Sequence, residues 1–132
     1  MQMTEMQNKI VKLLWDFNSL KEEQIMKICD CTKNDIQMLI INEILERDKK
    51  DKKSDIIKHK ATPVNYNNVA AFDAVVEYLE QNPKIRKAKH PINVSMQIEY
   101  CSYDIIAIRD DEKDKIYDNI DSISKSDKVI IV

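Results

Sequence analysis

The sequence predicts an α+β protein of two small modules, residues 1–62 and 63–132. Three observations carry that expectation. Apolar residues recur at helical spacing through residues 6–44, interrupted twice by helix-start signals. Residues 47–60 then hold seven Lys or Arg against three Asp, a local balance of +4. Beyond residue 90 the pattern changes to strict alternation and then to consecutive isoleucines, the two signatures of strands.

Taken in order, Met6, Ile10, Leu13, Leu14 and Phe17 form one apolar stripe of a first helix, with Val11 and Trp15 beside it. Asn18-Ser19 breaks that pattern, and Ser19 followed by Glu22 predicts a capping box that opens a second helix over about 20–28. Thr32 is the next N-cap, with Asp35 at its third position. The third helix is expected to bury Ile36, Leu39, Ile40 and Ile44 and to present Lys33, Asn34 and Gln37 on its other face. Three helices with a corner this short match a helix-turn-helix. The basic run RDKKDKKSDIIKHK, ending in a strand at Ile56–His59, reads as the wing of a winged helix-turn-helix.

ATPV is an extended linker, and a fourth helix from Tyr66 to Gln81 follows, with Val69, Phe72, Val76 and Leu79 as its stripe. Asn82-Pro83 stops it. KIRKAKH then gathers Lys84, Arg86, Lys87 and Lys89 without an acid. In PINVSMQI the residues Ile92, Val94, Met96 and Ile98 alternate with polar ones, so one face of this strand is wet. EYCS makes a hairpin turn, and YDIIAI is a strand covered on both faces. A helix over DDEKDKIYDNIDSIS and a final strand KVIIV complete an α-β-β-α-β module with a parallel final strand pair, in which Ile105, Ile106, Ile108, Ile130 and Ile131 are expected to be buried.

Composition narrows the function. The chain of 132 residues is 33% charged and has a formal net charge of −2, the balance of a globular domain. Its N-terminus lacks a signal-peptide pattern and no apolar run could span a bilayer, which predicts a cytoplasmic protein without a membrane partner. Cys29, Cys31 and Cys101 are an odd set. A zinc site could draw on them with His59 or His90, but C-x-C is not the usual knuckle, and buried thiols are the expectation. There is no glycine at all. Loops in which backbone closely approaches phosphate are thereby excluded, and tight turns must use Asn and Asp. No metal and no cofactor is expected.

The stretch HPINVSMQIEYCSYDIIAIRDDEKDKIYDNID, ending in KVIIV, resembles the distal half of small uncharacterised proteins encoded by conjugative elements of AT-rich bacteria. Those proteins are similar to the replication-relaxation group, which has an N-terminal winged helix followed by a fold related to restriction endonucleases. The resemblance implies a nuclease-like half, and the residues can be tested for it. A site of that kind needs an Asp on one strand and an acid-x-Lys on its neighbour, to hold Mg²⁺ at the scissile phosphate. Asp104 fits the first position. Nothing fits the second: the strand from Ile92 to Ile98 has no acid, and Glu112 and Lys113 are adjacent at a helix start. The half is read as degenerate, Asp104 as a structural acid, and the protein as no enzyme.

The sequence therefore predicts a non-catalytic DNA-binding accessory or regulatory protein of a mobile element. Lys33, Asn34 and Gln37 would face base edges of double-stranded DNA, and Lys49, Lys50, Lys52, Lys53 and Lys58 would hold phosphates. The alternative is a protein-interaction or dimerisation module that uses the same helices as a docking scaffold. The acids from Asp110 to Asp121 complement the basic run and allow a homodimer. Residues 1–62 carry 12 basic against 11 acidic residues, a weak excess for a dedicated DNA binder.

Overall fold

The computed structural model describes residues 2–48, 55–108 and 110–132. They form two compact units, Met1–Val69 and Ala70–Val132. Both mix helix and strand, so the protein is α+β.

In the first unit, α1 (Glu5–Phe17) starts at a capping box in which Thr4 Oγ1 accepts from the Gln7 N–H and Gln7 Oε1 accepts from the Thr4 N–H. Ile10, Leu14 and Phe17 are buried along its stripe, while Trp15, one position off it, is 74% exposed.

The expected Ser19–Glu22 capping box does not form. Ser19–Lys21 is instead a short strand, β1, in register with Ile56–Lys58. Ser19 is fully buried, where its Oγ donates to Asn18 Oδ1 at 2.9 Å and accepts the Asn65 N–H at 2.8 Å. Long-range strand pairing has outweighed a local helix-start signal. The second helix, α2 (Glu22–Cys29), is opened by Gln24, whose Oε1 accepts the Lys21 N–H.

Asp30 turns the corner after α2 in the left-handed conformation, φ 55° and ψ 46°. The missing glycine is replaced here by one of the residues best able to stand in for it. The third helix, α3 (Lys33–Ile41), begins at Thr32, with Asp35 N–H donating to Thr32 Oγ1 and Asp35 Oδ2 accepting from the Thr32 N–H. Ile36 and Leu39 are fully buried, whereas Ile40 and Ile44 are only partly so. Leu45, at the start of the next strand, takes the core place expected of Ile44.

Two strands follow, β2 (Leu45–Arg47) and β3 (Ile56–His59), giving an antiparallel three-stranded sheet in the order β1-β3-β2. Leu20, Leu45 and Ile57 bring its inner face into the core with α1, α2 and α3.

The helix α4 (Tyr66–Glu77) contains the boundary between the units and ends sooner than the sequence suggests. A single 3-10 turn over Leu79–Gln81 replaces its expected last turn, closed by left-handed Asn82. Its buried apolar residues are Val69, Ala71, Phe72 and Val75, with Asn68 buried beside them; Val76, and Leu79 in the following turn, are half-buried.

The sheet of the second unit runs β4 (Lys84–Arg86), β5 (Val94–Ile98), β6 (Cys101–Ile106) and β7 (Lys128–Ile131), in that order. β4 was not expected: KIR reads as a basic loop, yet it pairs with Ser95–Gln97. Alternation in β5 is exact, with Val94, Met96 and Ile98 buried. The segment after β6 is broken into a 3-10 turn and two short helices, α5 (Lys113–Asp118) and α6 (Ile120–Ile123). β6 and β7 are parallel, as expected, and Ile105 and Ile106 are fully buried on opposite faces. Ile108, Ile130 and Ile131 are only half-buried, contrary to expectation. The reason is topological: β7 is an edge strand, and Ile108 lies beyond the end of β6. No described helix is long and apolar enough to cross a membrane.

Candidate nucleic-acid interface

Lys33, Asn34 and Gln37 occupy positions i, i+1 and i+4 of α3, which places them on one side of the helix. All three are exposed. Together with Glu22 and Arg47 they line one open concavity on the surface of the first unit. Burial of Ile36 and Leu39 on the opposite side fixes the rotation of α3 and so the direction of this polar face.

Arg47 was not singled out from the sequence, where it is one cation in a run of seven. Its place at the end of β2 brings it to α2, where its guanidinium is ion-paired with Glu22. The Arg47 side chain remains 41% exposed and Glu22 only 11%. Arg has five donors and one carboxylate cannot use them all, so the partly exposed guanidinium keeps donors beyond the ion pair. Two cations and one acid therefore border the site. Helix dipole adds little there, because the Thr32–Asp35 box already occupies the start of α3.

Lys58 needs correction. It is 7% exposed, and its Nζ lies 2.5 Å from both Glu46 Oε1 and the Thr62 carbonyl oxygen. A buried ammonium held by a carboxylate and a carbonyl ties β3 to the chain that follows it and is not presented to a phosphate. Lys49, Lys50, Lys52 and Lys53 lie outside the described residues.

Asp104 is 4% exposed and accepts hydrogen bonds from Ser95 Oγ at 2.6 Å and from Ser124 Oγ, joining β5, β6 and the end of α6. Among the described residues no group of three or more His, Cys, Asp or Glu is arranged to hold a metal ion. Cys29, Cys31 and Cys101 are free thiols. Burial, reinforced by the nearby Cys31, pushes the Cys29 thiol up to about 11, so it is protonated and a poor nucleophile.

His59 is partly buried against Trp15, ring centroids 5.3 Å apart and edge to face. Burial lowers its pKa below the usual 6.5, partly opposed by a hydrogen bond to the Val11 backbone. Its Nε2 is buried without a partner among the described residues.

Comparison with family models, curated proteins and solved structures finds no match to this chain.

Proposed function

We propose that the protein is a non-catalytic, DNA-binding accessory or regulatory protein that engages duplex through α3. The observation that carries this reading is the convergence of Lys33, Asn34, Gln37 and Arg47 on one exposed concavity. The order α1-β1-α2-α3-β2-β3 with sheet order β1-β3-β2 supports reading the first unit as a winged helix-turn-helix, with the β2–β3 connection as the wing. In such a fold the third helix enters the major groove, where Asn and Gln can pair with adenine and Lys with guanine. A cytoplasmic setting fits the three free thiols. The mobile-element context rests on the sequence resemblance.

The test is fluorescence anisotropy of a labelled random duplex with the full-length protein at low salt, repeated as salt is raised. Weak binding that falls steeply with salt is expected, and joint replacement of Lys33, Asn34 and Gln37 by Ala should weaken it. Absence of binding at low salt would reject the proposal.

A second reading, a docking or dimerisation scaffold, draws on different residues. Trp15 is 74% exposed, Ile41 62% and Met38 39%, a large apolar offering for so small a unit. Failure to bind duplex, combined with association that replacement of Trp15 abolishes, would favour it.

A further inference from the structure

The four-stranded sheet treats its two edges differently. β4 is three residues long, and its Lys84 and Arg86 are both exposed; a short, charged strand is a common way to prevent edge-to-edge pairing. β7, at the other edge, carries one charge, Lys128, followed by Val129, Ile130 and Ile131, all half-buried. It has no proline, its register with β6 is continuous, and among the described residues no further strand pairs with it in the sheet.

The hydrogen bonds show which backbone groups face outward. The Val132 N–H donates to the Ile106 carbonyl, and the Ile108 N–H donates to the Val132 carbonyl, so both polar groups of Val132 point to β6. Alternation along the parallel ladder turns those of Lys128 and Ile130 the same way. The N–H and C=O groups of Val129 and Ile131 consequently point away from the sheet. Within the second unit no described residue hydrogen-bonds to them.

We propose that β7 pairs antiparallel with β7 of a second copy of the chain, about a two-fold axis at Ile130. This register sets Val129 opposite Ile131 of the partner and Ile131 opposite Val129 of the partner. Each such pair exchanges two N–H···O=C bonds, so all the outward groups of both strands are satisfied. Shifting the axis to Val129 or Ile131 would pair only one of those residues with its own copy and carry the other past the strand. The side chains brought together are β-branched and apolar, a favourable cross-strand set. Lys128 falls opposite Val132 of the partner, which sets the Cα atoms of the two lysines roughly 13 Å apart along the strands, four strand residues. The register centred on Ile130 satisfies the outward groups of both strands at once and keeps the two lysines apart, the isologous contact of a two-fold dimer, which favours a second copy over an unrelated strand. The two sheets join into one of eight strands whose new edges are the charged β4 strands.

Proline separates this pairing from the fold. Ile131→Pro removes an outward N–H and leaves every bond to β6 in place, a position where edge strands accept proline. Sedimentation equilibrium of the full chain from roughly 10 μM to 1 mM should show a monomer–dimer equilibrium, which mass action shifts with concentration. The Ile131→Pro variant should remain folded by circular dichroism and sediment as a monomer throughout. Should that variant unfold, Val129→Lys provides the same test by setting charge on the edge. Amide exchange adds a local readout: the Val129 and Ile131 amides should exchange quickly in dilute protein and become protected in concentrated protein. A wild-type chain that is monomeric across the range, or a dimer that survives in folded Ile131→Pro or Val129→Lys, would overturn the proposal.

Discussion

Replacing Ala61 or Glu99 by glycine should stabilise a protein that contains none. Both residues hold positive φ, 65° and 53° respectively, where a side chain crowds the following carbonyl. That conformation costs a residue with a Cβ roughly 1–2 kcal/mol. Glycine removes the crowding but adds unfolded-state freedom worth about 0.5–1 kcal/mol. Taken at mid-range, the two effects leave a gain of about 0.75 kcal/mol at each site. Little else changes, because both side chains are exposed and the contacts made there are by backbone: the Ala61 N–H donates to Glu46, and the Glu99 carbonyl accepts from Gln97. Asp30→Gly is the internal control, since Asp tolerates φ 55° better and should yield less. Urea unfolding is the assay. With a slope near 1 kcal/mol/M for units this small, Ala61→Gly and Glu99→Gly should each raise the midpoint by about 0.75 M at unchanged slope. Midpoints that stay put or fall, or a larger gain from Asp30→Gly, would refute the claim that these positions are strained by the lack of glycine.

Other outcomes follow from the packing and the site. Ile106 is fully buried, so Ile106→Ala should destabilise by about 2–5 kcal/mol in the same assay, with the half-buried Ile130→Ala costing distinctly less. His59 has its pKa lowered in the folded state, so the unfolded chain binds the proton more readily. Its contribution is complete above pH 6.5 and is lost as pH falls below that value toward the folded pKa; His59→Phe should flatten the stability profile in this window. Asp104→Ala would leave two serine hydroxyls without their acceptor and should cost about 1–3 kcal/mol. Plasmid incubated with wild-type protein and Mg²⁺ or Mn²⁺ should remain intact, and cleavage lost in that variant would identify Asp104 as catalytic. If Lys49, Lys50, Lys52 and Lys53 each meet a phosphate, their joint replacement by Ala should flatten the dependence of log K on log salt by about 3.6.

What the sequence disclosed follows from how local each signal is. The start of α3 was legible because Thr32 and Asp35 interact within one turn, and the face of Lys33, Asn34 and Gln37 follows from helical spacing alone. β1, β2 and β4 were not legible as strands, since three residues are too few to establish a period and each is held by a partner distant in sequence. Ser19 shows the competition directly: a good local capping residue became a buried strand residue bonded to Asn65. Burial of Lys58 depends on Glu46 and Thr62 converging around it, and nothing in IIKHK distinguishes that lysine from its neighbours. The same holds for Arg47, whose pairing with Glu22 exists only once β2 lies against α2. Ile130 and Ile131 looked like core because the sequence does not say which strand ends a sheet.

The measurement that bears most directly on the DNA proposal is an amide-resolved NMR titration of the full-length protein with a short duplex at low salt. Amides of Lys33, Asn34, Gln37 and Arg47 should shift together along one binding curve and return toward their free positions as salt is added. Shifts confined to the second unit, or none anywhere, would contradict the proposal that the exposed side of α3 is the surface that meets DNA.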